Sequence, residues 1–289
     1  MYKNIDCLII GLGLIGGSFA LSLRKNFPDS KIYGYDLKKK SIDIALKKKI
    51  IDKKFKFVNN TFKIDLIIVA VPSLKAVEIF KSLRELNFSK DIIIFDLSSS
   101  KQFIHNEIKT FSKAFLKNIV LCHPIAGSEK SGINACNVDL FKEKKLILIN
   151  DVFASRKSLQ FSKMIWQIIG AKVISMRLNE HEKVFCYISH LPHLVSFAMV
   201  NTVGEKKLKN VSGLAGAGFY DFTRIAASST EMWFDIFISN KNELIKSINL
   251  LQKSLDYFKV HLKKKNHNDL KSLIYNASSL RRKWKIERK

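Results

Sequence analysis

The 289 residues suffice for one large domain or two ordinary ones, and an apolar content of 47% with 26% charged residues is that of a soluble globular protein. No run approaches the roughly 18 unbroken apolar residues of a membrane span, so no membrane association is expected. The formal charge of +25 comes from lysines spread along the whole chain rather than gathered with aromatic residues into one module. It therefore predicts an anion-attracting surface and no nucleic-acid partner.

The chain opens on Asp6-Cys-Leu-Ile-Ile-Gly-Leu-Gly-Leu-Ile-Gly-Gly17, which reads as a buried strand turning on glycines into a helix. Gly11, Gly13 and Gly16 stand in the G-x-G-x-x-G spacing. The first makes the tight turn, the second admits phosphates to the backbone, and the third lets helix pack on strand. Gly11, Gly13, Leu14, Ile15 and Gly16 are thus expected to cradle a dinucleotide pyrophosphate at a helix N-terminus. A second apolar run, Lys31 to Tyr35, ends in Asp36, 20 residues past Gly16, where an acid accepts ribose hydroxyls. Asp36 favours NAD over NADP, a preference that Lys38, Lys39 and Lys40 soften.

A weaker strand is expected near Phe55 to Val58. Asp65 to Pro72 reads as a strand covered on both faces, with Val71, Pro72 and Ser73 at its carboxyl end beside the cofactor and a helix from Leu74 to Leu86 behind it. Asp91 to Lys101 repeats the theme. Further strands are predicted at Asn118 to Cys122, Leu146 to Asn150 and Ala171 to Ser175, with a helix from Ser155 to Ile169. Strands alternating with helices predict an α/β fold with a doubly wound Rossmann-type, mainly parallel sheet and a ligand crevice at the carboxyl ends of its strands. Beyond Met176 only helical spacing remains, in segments near 180–204, 221–227, 230–239, 241–264 and 267–283. We therefore divide the chain into a dinucleotide-binding domain over 1–176 and an all-helical domain over 177–289 that supplies a homodimer interface. Cys7, Cys122, Cys136 and Cys186 form no Cys-x-x-Cys pair, so no disulfide framework or thiolate metal site is expected, and a reducing cytoplasm suits them.

Three clusters could carry chemistry. His123 follows a strand and precedes a glycine-containing loop, which suits either a proton acceptor or a turn cap. In Asn179 to His193, the residues Glu182, Cys186, Ser189 and His193 share one helical face, and Pro192 should kink that helix. A His-Glu-x-x-His metal motif fails there because Phe185 stands where its second histidine would be, so no metal is expected. In Gly213 to Ala226, Arg224 near Asp221 reads as a surface ion pair ahead of a carboxylate clamp.

Five stretches in order, Gly11 to Ser18, Asp96 to Lys101, His123-Pro-Ile-Ala-Gly-Ser-Glu129, Ser189-His-Leu-Pro-His193 and Asp221-Phe-Thr-Arg224, make the chain resemble the prephenate and arogenate dehydrogenases of tyrosine biosynthesis. The resemblance implies NAD-dependent oxidative decarboxylation of prephenate or arogenate by a stand-alone enzyme. His123 would accept the ring-hydroxyl proton, with Ser99 bonded to that hydroxyl or to His123. Ser189, His193 and Arg224 would hold the substrate, Glu129 would sit at the entrance and Trp233 would line the site. Glu182 stands where the family usually has aspartate, Tyr220 where some members carry a basic residue, and Ser98 and Ser100 replace a glycine and an aliphatic residue. A different two-domain β-hydroxy acid dehydrogenase would need a Gly-x-x-x-Lys helix that the chain lacks, and a basic dinucleotide-sensing nucleic-acid-binding protein would need no catalysis.

Overall fold

The computed structural model describes residues 3–57, 63–86, 92–127, 131–206 and 210–284. Its strands are β1 (Cys7–Ile10), β2 (Ile32–Tyr35), β3 (Lys53–Lys54), β4 (Leu66–Val69), β5 (Ile93–Asp96), β6 (Ile119–Ile125), β7 (Lys145–Ile149) and β8 (Lys172–Met176). They form one sheet in the order β3-β2-β1-β4-β5-β6-β7-β8, in which every neighbouring pair is parallel except β6 with β7. The first helices are α1 (Leu14–Asn26), α2 (Lys39–Lys47), α3 (Ser73–Arg84), α4 (Lys101–Ile108), α5 (Lys113–Leu116) and α6 (Arg156–Ile168). Then come α7 (Leu178–Phe185), α8 (Leu191–Glu205), α9 (Val211–Leu214), α10 (Ala217–Thr223), α11 (Thr230–Ser239), α12 (Lys241–Lys263) and α13 (Asn268–Lys283).

The unalternated apolar runs of β1, β4 and β5 have their cause in two cores. Cys7 and Ile9 of β1 pack into one layer with Phe19, Phe95 and Trp166, while Leu8 and Ile10 pack into the other with Phe80 and Ile104. Successive strand residues point to opposite faces, and helices cover both, so both faces are apolar except at the end of β5, where the buried Asp96 is paired with Lys101. Trp166 fills the first layer by meeting Phe19 and Phe141 edge-on, with ring centroids 5.3 and 5.2 Å apart.

The structure corrects the sequence reading at four places. The weak strand is two residues, Lys53–Lys54, ahead of the expected Phe55 to Val58, where Val58 itself lies outside the described residues. β6 runs on past Cys122 to Ile125 because β7 turns back antiparallel and pairs Ile147 with His123, so His123 lies inside a strand and not after it. The residues Asp221, Thr223 and Arg224 close a helix instead of opening one: α10 begins at Ala217, and a 3-10 turn, Arg224–Ala227, follows it. Finally, the helix carrying Pro192 is not simply kinked. A π-helical turn, Cys186–His190, separates α7 from α8 and seats Pro192 in α8's first turn, where its missing donor is harmless.

As packed units the chain divides after Asn240, into Met1–Asn240 and Lys241–Lys289. The change of pattern at residue 176 marks the end of the sheet, while α7 packs on α4 and α11 on α3. Taken as one run, Leu178–Glu205 is long and apolar enough to cross a membrane by length and composition, although its polar residues interrupt any unbroken apolar stretch. Tyr187, Ile188, Met199 and Val200 leave part of that run exposed. In the second unit α12 and α13 pack together, and His261 is buried against Tyr257 with Asp269 3.3 Å away.

Candidate active site

Consecutive neighbours in the sheet, β1, β4, β5 and β6, bring Gly11, Val71 and Pro72, Ser99, and His123 to one edge. At β1 the turn into α1 is forced by glycine. Gly11 has φ +96°, and a Cβ there would run into the Ala70 carbonyl, while a Cβ on Gly16 would strike the Gly11 carbonyl. Gly13 differs, because a Cβ there would meet nothing within 4 Å. That open side of the turn faces the start of α1, whose N-cap has no side-chain hydrogen bond and whose first turn has no acid. Beside it lies a cleft of about 520 Å³ lined by Gly11, Gly13, Asp36, Val71, Pro72 and Lys75, among others. Asp36 Oδ2 accepts the Leu12 N–H at 2.8 Å and Oδ1 the Lys38 N–H at 2.7 Å, so the acid is held at the cleft by the glycine turn itself. Leu14 and Ile15 are half-buried in the first turn of α1. An uncapped helix start, an open glycine and a fixed carboxylate are what a dinucleotide requires, and the residues fit one. Ser73, expected beside them, is fully buried with its N–H directed elsewhere, to Asp235.

At the other end of the edge His123 is half-buried, and its Nδ1 lies 2.8 Å from His181 Nε2. Burial, with the charges of His181, Lys101 and His190 behind it, holds the His123 imidazole well below its ordinary range, so it is neutral near pH 7. The β5–β6 register sets Asp96 beside Leu121, so His123 lies two residues further along β6 and Ser99 three residues past the end of β5, both toward the same edge. Of the three adjacent hydroxyls, Ser98 Oγ donates to Asp96 at 2.9 Å, and Ser100 Oγ donates to Glu182 Oε2 at 3.3 Å and to the Ser239 carbonyl at 3.2 Å. Both are buried, whereas Ser99 between them is half-buried and open to the site. Lys101, fully buried, bonds Asp96 Oδ2 at 2.6 Å and fixes the floor.

The helical segment after the sheet reaches this edge through two carboxylates. Glu182 Oε1 accepts the Lys101 N–H at 2.7 Å and the Gln102 N–H at 3.2 Å, closing the N-terminus of α4. Asp235 accepts the Ser73 and Leu74 N–H groups, each at 2.8 Å, closing that of α3. Neither helix has a cap of its own. Burial raises Glu182, but the His181 hydrogen bond and charge and the two backbone donors together take its carboxyl below the usual range; for Asp235 burial wins and raises it. Asn240 Nδ2 donates to the Glu182 carbonyl at 3.3 Å and to His190 Nδ1 at 3.1 Å, and burial pushes His190 down to about 4.

His193 stacks on Trp233 with ring centroids 3.7 Å apart and bonds the Ser189 carbonyl through Nδ1 at 2.9 Å, so these three expected residues come together. Burial lowers His193 as well. Arg224 is exposed at the start of its 3-10 turn, which packs on α8 where Ser196 Oγ donates to the Phe222 carbonyl at 2.9 Å. Glu129 lies outside the described residues. Sequence reasoning missed His181, His190, Asp235 and Asn240. His181 enters it only as half of the failed metal motif, His190 and Asp235 lie in apolar helical segments, and Asn240 caps the end of α11.

The family model for the prephenate dehydrogenase nucleotide-binding domain matches residues 19–175, and that for the prephenate dehydrogenase dimerization domain matches 177–276. The chain is 31% identical to a prephenate dehydrogenase of Lactococcus lactis over 284 residues, covering 97% of this chain and 78% of that one. It is 30% identical to a cyclohexadienyl dehydrogenase of Zymomonas mobilis over 269 residues, 91% and 87% of the respective chains. Among solved structures it is similar to a prephenate dehydrogenase from Aquifex aeolicus crystallised with hydroxyphenyl propionate and NAD+. That match has 35% identity, 97% and 98% coverage and a TM-score of 0.87.

Proposed function

The chain belongs to the prephenate dehydrogenase family, and from that premise we propose that this NAD-dependent oxidoreductase converts prephenate to 4-hydroxyphenylpyruvate and carbon dioxide. The observation that carries the reading is His123: an uncharged imidazole at the carboxyl edge of the sheet, on the strand next to the one that leads into Ser99 and two strands from the cofactor cleft. Gly11, Gly13 and Gly16 with the start of α1 would hold the pyrophosphate, and Asp36 the ribose. Bound NAD supplies the acceptor for the hydride that leaves the ring carbinol carbon. His123 takes the hydroxyl proton, and Ser99 orients that hydroxyl. Loss of the ring carboxylate as carbon dioxide restores aromaticity, so the protein's part is orientation and proton acceptance. His193 and Arg224 hold substrate on the helical side, with Trp233 as the wall behind His193 and Ser189 fixing its ring. The same segment, with its exposed apolar residues, forms the interface of a homodimer, and four cysteines outside any disulfide suit a reducing cytoplasm.

The test follows NAD reduction by its near-ultraviolet absorbance with prephenate and arogenate offered separately. Turnover with prephenate is expected, and turnover with arogenate alone would move the substrate and leave the chemistry standing. His123→Asn should keep NAD binding and lose kcat by roughly 10²–10⁴-fold, as for removal of a general base. Near-normal kcat in that variant would overturn the reading. Arg224→Ala should chiefly raise KM.

A further inference from the structure

A histidine can serve as a base only if the nitrogen facing the substrate has no proton, and neutral imidazole carries its proton on either nitrogen. The choice is made by the partner of the other nitrogen. For His123 that partner is a second histidine, and the ambiguity passes to His181 Nε2, 2.8 Å away. It ends one residue further on. His181 Nδ1 is 2.9 Å from Glu182 Oε1, and an ionised carboxylate only accepts.

We propose that Glu182 and His181 are positioning residues that set the tautomer of His123: Glu182 accepts from His181 Nδ1–H, the bare His181 Nε2 accepts from His123 Nδ1–H, and His123 Nε2 is left free to take the substrate proton. The relay deepens the reading of His123 as the base and rests on it. It works only while His181 is neutral, because an imidazolium would donate from both nitrogens and force the proton of His123 to Nε2. Burial secures that neutrality: His181 is fully buried, and its pKa falls below the ordinary range even though the hydrogen bond and charge of Glu182 pull it upward. Lys101 acts in the same direction at both rings and His190 at His123, while the Asp96 carboxylate pulls His181 the other way. Lys101 from α4, paired with Asp96 of β5, presents a cation to both histidines, His190 stands on the adjoining π-helical turn, and the Phe185 ring covers the pair at centroid distances of 4.8 and 4.7 Å.

Glu182 is itself held by four donors. Oε1 takes His181 Nδ1–H and two backbone N–H groups of α4, and Oε2 takes Ser100 Oγ–H. A carboxylate fixed in this way stays ionised, which the relay needs. One side chain thus joins the α4 N-terminus to the base.

Nitrogen-15 NMR of the ring nitrogens in the full chain, read beside steady-state kinetics with NAD and prephenate, tests the relay. In the wild type near neutral pH, His123 should show a protonated Nδ1 and a bare Nε2. His181→Phe fills the same buried space without an acceptor; it should lose that tautomer and lower kcat roughly 10²-fold with KM little changed. His181→Gln places an amide oxygen near the position of Nε2 and should restore most of both. A wild-type His123 protonated on Nε2 would overturn the relay without any variant, as would a folded His181→Phe with unchanged tautomer and kcat. If His123→Asn is inactive in that case, the base reading survives alone. If His123→Asn turns over normally, the base reading falls and the relay with it.

Discussion

Three helices begin along one edge of the sheet, and they are finished in two different ways. The N-terminus of α1 has no capping side chain, no acid in its first turn, and a glycine whose missing side chain faces open space. Those of α3 and α4 also lack local caps, yet Asp235 and Glu182 arrive from the helical segment and occupy their N–H groups. The unpaired donors and the partial positive charge are common to all three. What fills them differs. A carboxylate of the same chain turns a helix start into a point of tertiary attachment, and its absence leaves the same donors open at the α1 terminus, where the proposed function seats the pyrophosphate. The comparison explains how one sheet edge can leave one helix start open beside the cleft and use the other two to anchor the helical segment that follows the sheet.

The sharpest way to break the contrast is to close the open terminus. Gly13→Glu should weaken NAD binding roughly 10³-fold, about 4 kcal/mol, while leaving the unfolding midpoint of the cofactor-free protein unchanged or slightly higher, because an acid suits that end of a helix. Isothermal titration calorimetry reads the first quantity and thermal melting the second. Retained affinity would mean that the anion does not sit there.

The closed side has its own liability, in the buried neutral histidines packed beside Glu182. His190 has an ordinary value near 6.5 when unfolded and about 4 when folded, so the unfolded chain binds the extra proton between those limits. Its stabilising contribution is present in full above pH 6.5 or so and is lost as pH falls toward 4, about 3 kcal/mol in all. Protonation at Nδ1 would also remove the acceptor for Asn240 Nδ2. In denaturant melts across that range the wild type should lose about 3 kcal/mol relative to His190→Gln as the pH falls. Parallel curves would assign the acid loss elsewhere.

Opening a closed terminus should matter less. Asp235→Ala leaves two N–H groups of α3 without their partner and should cost about 2 kcal/mol of stability, with NAD affinity changed less than about tenfold. A larger loss of affinity would mean that α3's start serves the cofactor directly. The smallest effect is expected at a helix capped by its own sequence. Ser155 Oγ accepts the Ser158 N–H at 3.1 Å, and Ser155→Ala should cost about 1 kcal/mol with kcat and KM untouched.

The difference between local and distant caps also separates what could be read in the sequence from what could not. Ser155 was legible as the start of α6, and Gly11, Gly13, Gly16 and Asp36 were legible as a strand-to-helix glycine turn with an acid beside it, because each device is completed within a few residues or by one spacing. His123 was recognised as a base candidate but placed after a strand. Its position inside β6 follows from pairing with β7, whose antiparallel direction no local pattern records. The helical face drawn through Glu182, Cys186, Ser189 and His193 assumed an unbroken period. The π-helical turn resets it, burying His190 and leaving Ser189 and His193 half-buried. The Met1–Asn240 unit crosses the change of pattern at residue 176 because α7 and α11 are attached to α4 and α3.

By itself the sequence determined the doubly wound sheet, the glycine turn and the identity of the helices, since backbone propensity and the periods of strand and helix act over a few residues. Only the tertiary structure decided which helix starts stay open. The partners that close α4 and α3 lie 81 and 162 residues away, at Glu182 and Asp235. A hydrogen bond to a distant carboxylate leaves no periodicity behind. It exists only once packing has brought the two groups within 3 Å of each other.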